Sequence, residues 1–302
     1  MKPRRPLGRR GRLLLALLAA PFLALALFLV HQGLFAQMDK DLSWSRAVFD
    51  RRGELLHLPL NDEDRYRLRA NLADYPPSLI EAVLLQEDRR FYRHGGIDIP
   101  ALFRSAWTTW VTKERRMGAS TITMQLARLR GRLNTKTVPG KLWQILYALW
   151  LENCFSKDEI LEAYLNMAPM GGNIEGYATA SWYYFGKKTG ELTLSQRLSL
   201  VVIPQNPNVR APVSQGISDS FMDARMVLFE AWVREHPQDA LSQSEMALPP
   251  ALLLRFPGRA LHHSELLARL APPFEARNGI ESSIDSDMQD LLERLLGRYI
   301  ME

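Results

Sequence analysis

From Leu13 to Val30 the chain reads LLLALLAAPFLALALFLV, eighteen residues without a polar side chain, and no charge follows until Asp39. Such a run commits one end of the molecule to a bilayer whatever the rest folds into. At about 1.5 Å per residue it rises roughly 27 Å, and the uncharged residues after it extend the span past a hydrocarbon layer of roughly 30 Å. Pro21 is tolerated, because membrane helices accommodate proline. Lys2, Arg4, Arg5, Arg9, Arg10 and Arg12 come before the run with no acid among them. By the positive-inside rule, residues 1–12 form a cytoplasmic basic segment and the chain beyond Gln37 lies on the far side. A cleaved signal peptide is the competing reading. Its apolar region is about 7 to 15 residues long, and Leu34-Phe35-Ala36 is a poor small-x-small site, so residues 13–36 are expected to be an uncleaved transmembrane signal anchor.

The formal charge of +5 would by itself suggest a nucleic-acid partner. Six positive charges lie in the first twelve residues, which leaves the other 290 at −1, and no nucleic acid is expected. A composition of 47% hydrophobic and 24% charged residues excludes wholesale disorder and a polytopic transporter. Cys154 is the single cysteine, so no intrachain disulfide can form, and its apolar helical setting makes it an inert thiol. The six histidines show no paired ligand spacing, so no protein-held metal is expected.

Residues 37–70 read as an extended connector with a turn at Arg52-Gly53, and residues 71–235 as a helical domain. Helix starts are marked by Pro76-Pro77, by Ile99-Pro100 after Asp98, and by the capping-box patterns Ser156-x-x-Glu159, Thr193-x-x-Gln196 and Ser286-x-x-Gln289. Gly186 closes a helix running from about Glu175. No long period-2 alternation occurs, so the fold is expected to be mainly α. Residues 236–302 read as a weakly structured tail ending in a short amphipathic helix, Met288 to Tyr299.

Three segments are poor material for packing and rich in functional groups. EDRRFYRHGGID, Glu87 to Asp98, ends a helix on two carboxylates. The dipole at a helix C-terminus opposes negative charge, which raises a carboxyl pKa and suits it to take a proton near neutral pH. A solvated helix end is the plain alternative. GASTITMQLAR, Gly118 to Arg128, places hydroxyls at a helix start, which makes either an anion site or a simple N-cap by Ser120. GKLWQ, Gly140 to Gln144, leads into an apolar helix ending at Glu152.

With SKDEILEAYLN (Ser156 to Asn166), G-x-x-x-ASWYYFGK (Gly176 to Lys187) and IPQNP (Ile203 to Pro207), these segments resemble the family 51 glycosyltransferases, the peptidoglycan polymerase domains of class A penicillin-binding proteins. The resemblance covers roughly residues 45–215 and, through Met124 and NMAPMGGNIEGY, is closest to the 1C-type members. It implies a lysozyme-like, mainly α glycosyltransferase domain behind a single N-terminal transmembrane helix. Such a domain sits on the outer face of the bacterial inner membrane, in the periplasm, polymerising lipid II into glycan strands alongside other cell-wall synthesis proteins. By resemblance Glu87 is the general base. Arg128, Lys141 and Lys136 meet the leaving lipid pyrophosphate, while Ser120, Thr121 and Gln125 line the same site. Asp88, Phe91, His94 and Gly118 support its shape. No cofactor is required, though Mg²⁺ or Mn²⁺ can ride with the pyrophosphate.

Two departures stand out. Most members have an arginine before the motif-three lysine and a glutamate three residues after it; here those places hold Gly140 and Gln144. Gln144 is carried as a catalytic-site residue, although an amide neither donates a proton in catalysis nor holds charge. The second concerns a transpeptidase. No serine has a lysine three residues on, and Lys188-Thr189-Gly190 lies alone, so no transpeptidase is expected in this chain; residues 236–302 resemble the linker that leads into one. Two other functions stand beside polymerisation: a catalytically weak lipid II-binding scaffold, and a glycan-cleaving enzyme of the same fold, which would have no pyrophosphate to bind. Trp107, Trp110 and Val111 read first as core packing and second as apolar contact with membrane lipid.

Overall fold

The computed structural model describes residue 38 and residues 42–107, 120–258, 261–270 and 279–301. The anchor at 13–36, Gly118, Trp110 and Val111 lie outside the described residues, as does the side chain of Trp107. No helix among the described residues is long and apolar enough to cross a membrane.

The fold is mainly helical, and local chemistry sets most helix ends. Helix α1 (Pro77–Glu87) starts on Pro77, whose missing N–H costs nothing in a first turn. Asp98 caps α2 (Ile99–Trp107) by accepting from the Ala101 amide at 2.8 Å. Thr121 caps α3 (Ile122–Arg130) through the Met124 amide at 3.1 Å, and Thr137 caps α4 (Val138–Cys154) through that of Gly140 at 3.2 Å. The Ser156–Glu159 capping box opens α5 (Lys157–Met167) as the pattern predicts. Helix α6 (Tyr177–Phe185) is bracketed by two glycines at positive φ, Gly176 at 87° and Gly186 at 64°. A Cβ on Gly176 would also stand 2.7 Å from the Asn166 carbonyl oxygen, so only glycine lets α5 and α6 approach this closely. Helix α7 (Leu194–Val201) opens on the Thr193–Gln196 box, followed by the short α8 (Pro207–Arg210), α9 (Asp219–Glu235) capped by Ser218, and α10 (Gln243–Ala247).

Helix α3 is the hub, packed on both α4 and α5, while α1 packs on α7 and α9. One continuous core buries Leu79, Ile122, Met124, Leu126, Tyr164, Tyr177 and Trp232, and its polar edge is where α1 ends and α3 begins. Two small sheets flank it. Strand β3 (Tyr66–Arg67) pairs in parallel with β4 (Ile174–Glu175), tied by ion pairs from Arg67 to Glu175 and Glu63.

The second sheet differs from the sequence expectation. Strand β1 (Val48–Phe49) pairs antiparallel with β2 (Leu55–His57) and in parallel with β5 (Ile280–Glu281) from the far end of the chain. Helix α11 (Leu261–Leu270) packs on β1 and β2, and α12 (Ser286–Met301) follows. The proline- and serine-rich composition of the tail concealed this return. What holds it is Asp50, buried between strands, which accepts from the backbone amides of Arg52 and Glu54 and from the Ser286 hydroxyl. Because Asp50 takes the Ser286 side chain, Asp285 caps α12 in its place, accepting from the amides of Asp287 and Met288. Arg51 and Arg52 complete the clamp on Asp285 and Asp287.

Candidate active site

Glu87 is the last residue of α1, and its carboxylate faces a cavity of about 380 Å³. Ser120, Gln125, Arg128, Lys141 and Gln144 line the same space, from α3, α4 and the residue before the α3 cap. Six residues expected from three separate segments therefore meet at one place. The Gln125 amide donates to Glu87 Oε2 at 2.7 Å, while Oε1 is buried without a hydrogen-bond partner among the described residues. Burial pushes the Glu87 pKa up to about 6, against the pull of the Gln125 and Gln205 amides and the Arg210 charge. The upward shift expected at the helix end is present, and desolvation is its leading cause.

Across the cavity stand two cations. Lys141 Nζ donates to Gln144 Oε1 at 2.8 Å and to Ser120 Oγ at 3.3 Å, neither of which carries charge. Its pKa is lowered by burial and by the neighbouring Arg128. The Arg128 guanidinium makes no hydrogen bond or ion pair among the described residues. Two positive groups held together without a carboxylate between them form a site for an anion with more than one charged oxygen. Gln144 is buried, with its amide engaged at both ends: Nε2 donates to the Met124 carbonyl at 2.6 Å as Oε1 accepts from Lys141. It thus acts as a strut from α4 to α3 that aims the lysine.

Behind the cavity the first motif is built into the second. Asp88 is buried and accepts from the Ile122 amide at 3.1 Å, the first N–H of α3, and His94 Nε2 lies 3.0 Å from both its oxygens. Phe91 is buried under Lys157, whose ammonium sits 4.3 Å from the ring centroid. Thr121 is buried too, donating to the Gly96 carbonyl at 2.6 Å while capping α3, so it supports the floor and does not line the cavity. Lys136 is exposed and outside the lining, where its neighbour Thr135 takes the position.

Gln86, Thr135 and Gln205 line the cavity and were not singled out from sequence; Arg210 stands close enough for its charge to act on Glu87. The signal for Gln205 was present in Ile203–Pro207, which places a polar side chain between two prolines. Arg128 also borders a second, larger groove of about 880 Å³, where Arg65, Arg67 and Arg132 are matched by Glu63 and Glu175.

Asp88, His94 and Asp98 bring ligand atoms within 4.8 Å of one another. They do not fit a metal ion. The Arg90 fork occupies Asp98, and Asp88 is committed to His94 and the Ile122 amide. The cavity offers one carboxylate facing two cations, which likewise does not fit a protein-held cation.

A family model described as "Transglycosylase" matches residues 53–231, more than half of the chain. The chain belongs to the transglycosylase family. It is 32% identical over 288 residues to penicillin-binding protein 1C of Escherichia coli K12, covering 93% of this chain and 36% of that protein. It is 33% identical to penicillin-binding protein 1A of Vibrio cholerae over 70% of this chain and 26% of the relative, and 35% identical to the 1A protein of E. coli K12 over 58% and 20%. This transglycosylase chain spans about a third or less of the length of these relatives. A crystal structure of penicillin-binding protein 1A from Haemophilus influenzae aligns over 83% of this chain and 28% of its own, at a TM-score of 0.39 and 19% identity.

Proposed function

We propose that this transglycosylase is an inverting peptidoglycan glycosyltransferase that joins lipid II units into β-1,4-linked glycan and releases lipid pyrophosphate. The observation that carries the reading is the pairing, in one cavity, of a buried carboxylate with a pKa near 6 and two cations that have no acidic partner among the described residues. Glu87 accepts the proton from the acceptor sugar 4-hydroxyl as that oxygen attacks the anomeric carbon of the lipid-linked donor. The bond from that carbon to the pyrophosphate breaks at the same time, and Arg128 and Lys141 receive the charge that develops on the leaving group. A divalent cation, if used, arrives with the pyrophosphate.

The helical body is read as the lysozyme-like fold, with its carboxylate at a helix end beside a cleft. The second groove, meeting the first at Arg128, gives the two sugar chains of a polymerisation separate approaches. Residues 13–36 anchor the protein in the bacterial inner membrane with the N-terminus cytoplasmic and the domain outside. Helix α4 supports that setting. Gln144, Ala148 and Leu151 face inward, whereas Val138, Leu142, Trp143, Leu146 and Leu149 form an exposed apolar stripe on the opposite face, Trp143 at 64% exposure. A lipid-linked substrate would reach Lys141 from a bilayer lying along that stripe.

Lipid II polymerisation by the full chain in detergent, with and without Glu87→Gln, tests the reading. Glycan strands from the wild type and none from the variant are expected; undiminished polymer from Glu87→Gln would remove the base, and shortened strands from finished glycan would make the enzyme a cleaving one.

A further inference from the structure

The core beneath Glu87 contains polar groups that the reaction above leaves unused. Tyr164 on α5 and Tyr177 at the start of α6 are both completely buried, and neither hydroxyl has a hydrogen-bond partner among the described residues. Glu87 Oε1 is a third buried oxygen in the same condition. Folds rarely leave such groups unpaired, and three that neighbour one another share a solution. The two hydroxyls adjoin each other, and both sense the Glu87 charge, which together with burial keeps them un-ionised. They are therefore hydroxyl donors near enough to the carboxylate to feel its charge, on core residues that do not line the cavity.

We propose that Tyr164 and Tyr177 are positioning residues for Glu87, their hydroxyls hydrogen-bonding to Oε1 through one ordered water and so keeping Oε2 turned toward the cavity. A water needs two to four polar partners in such a place, and these three oxygens supply them. The arrangement rests on the assignment of Glu87 as base. It divides the carboxylate into a held oxygen and a working one, with Gln125 steadying the working side. It also sets how tightly Glu87 holds a proton, since donors to a carboxylate favour its ionised form. The other charged groups around Glu87 are Asp88 at the end of its own helix, Arg210 on α8, and Arg128 and Lys141 in the cavity walls of α3 and α4.

The test uses the full chain in detergent with Tyr164→Phe and Tyr177→Phe made singly, and measures kcat and KM for lipid II from about pH 5 to 8.5. Loss of either hydroxyl is expected to move the acidic limb of kcat upward by about half a pH unit or more, with kcat lowered most at low pH and KM changed less than about twofold. An infrared titration of the Glu87 carboxyl band, identified by subtracting Glu87→Gln, should move in the same direction. That titration decides the proposal even where a variant has little turnover. An acidic limb and a carboxyl titration that stay in place in both variants would overturn it, whatever happens to the melting temperature. Turnover by Glu87→Gln would instead fault the base assignment, with the carboxyl titration still reporting on the tyrosines.

Discussion

Gln144 holds Lys141 by an uncharged contact, its amide oxygen accepting from the ammonium at 2.8 Å. The other end of the same amide donates to the Met124 carbonyl, so the residue serves as acceptor and donor at once. An ionised glutamate could fill only the first role. Gln144→Glu should therefore set a carboxylate against the Met124 carbonyl and also neutralise the lysine that lines the cavity. The expected outcome is a loss of about 1–3 kcal/mol in stability together with a raised KM for lipid II, read from denaturant melts and steady-state polymerisation. Equal stability with faster turnover would contradict the strut.

The proton affinity of Glu87 predicts opposite effects on stability and activity. Its pKa in the fold, about 6, lies above the ordinary 4.5. The folded state thus binds this proton more tightly than the unfolded chain. The stabilising contribution is complete below about 4.5 and is withdrawn as pH rises through about 6. At pH 7.5 the ionised residue costs the fold up to about 2 kcal/mol. Glu87→Gln keeps an acceptor for Gln125 and removes the charge, so it should melt at a higher temperature than the wild type at pH 7.5 but not at pH 4. Activity should fall by about 10²-fold or more, and wild-type turnover should rise with pH through about 6.

Asp88 predicts a mechanical effect. It joins the end of α1 to the first amide of α3 while gripping His94, so it fixes the distance between Glu87 and the Ser120–Arg128 segment. Asp88→Ala should remove about 1.5–3 kcal/mol of charge-assisted hydrogen bonding. It should also lower kcat, because Glu87 and Gln125 would no longer be held in register. Asp88→Asn, which retains one acceptor, should lie between the two in both measurements.

The helices were legible where a cap or a glycine announces them, as at Ser156–Glu159, Thr193–Gln196 and Gly186, because those signals act within a few residues. Motif order marks Glu87, Gln125, Arg128 and Lys141 as candidates, and the fold brings them to one cavity. What could not be read depends on distant partners. Nothing near Ser286 signals that Asp50, 236 residues earlier, will take its hydroxyl and move the helix cap to Asp285. The same holds for Thr121, whose hydroxyl is taken by Gly96 and the α3 amide, and for Tyr164 and Tyr177, which look like ordinary core aromatics until their hydroxyls are placed beside Glu87. The leading cause of the Glu87 shift is hidden for a related reason: the dipole of a helix can be inferred from its ends, whereas burial requires the surrounding fold.

The apolar stripe of α4 separates two modes of substrate delivery. Trp143 and Leu146 point away from Lys141 and Gln144, so polar replacements there should leave the cavity intact. If the stripe lies in the bilayer, each side chain contributes about 1.5–3 kcal/mol of apolar burial that is realised only at a lipid surface. Trp143→Ser combined with Leu146→Ser should then polymerise a short-chain, water-soluble lipid II analogue at the wild-type rate. With long-chain lipid II in vesicles the same variant should be slower by about tenfold or more, with the loss in KM. Equal losses on both substrates would mean that the stripe supports the domain itself, and equal rates on both would mean that the stripe plays no part in delivery.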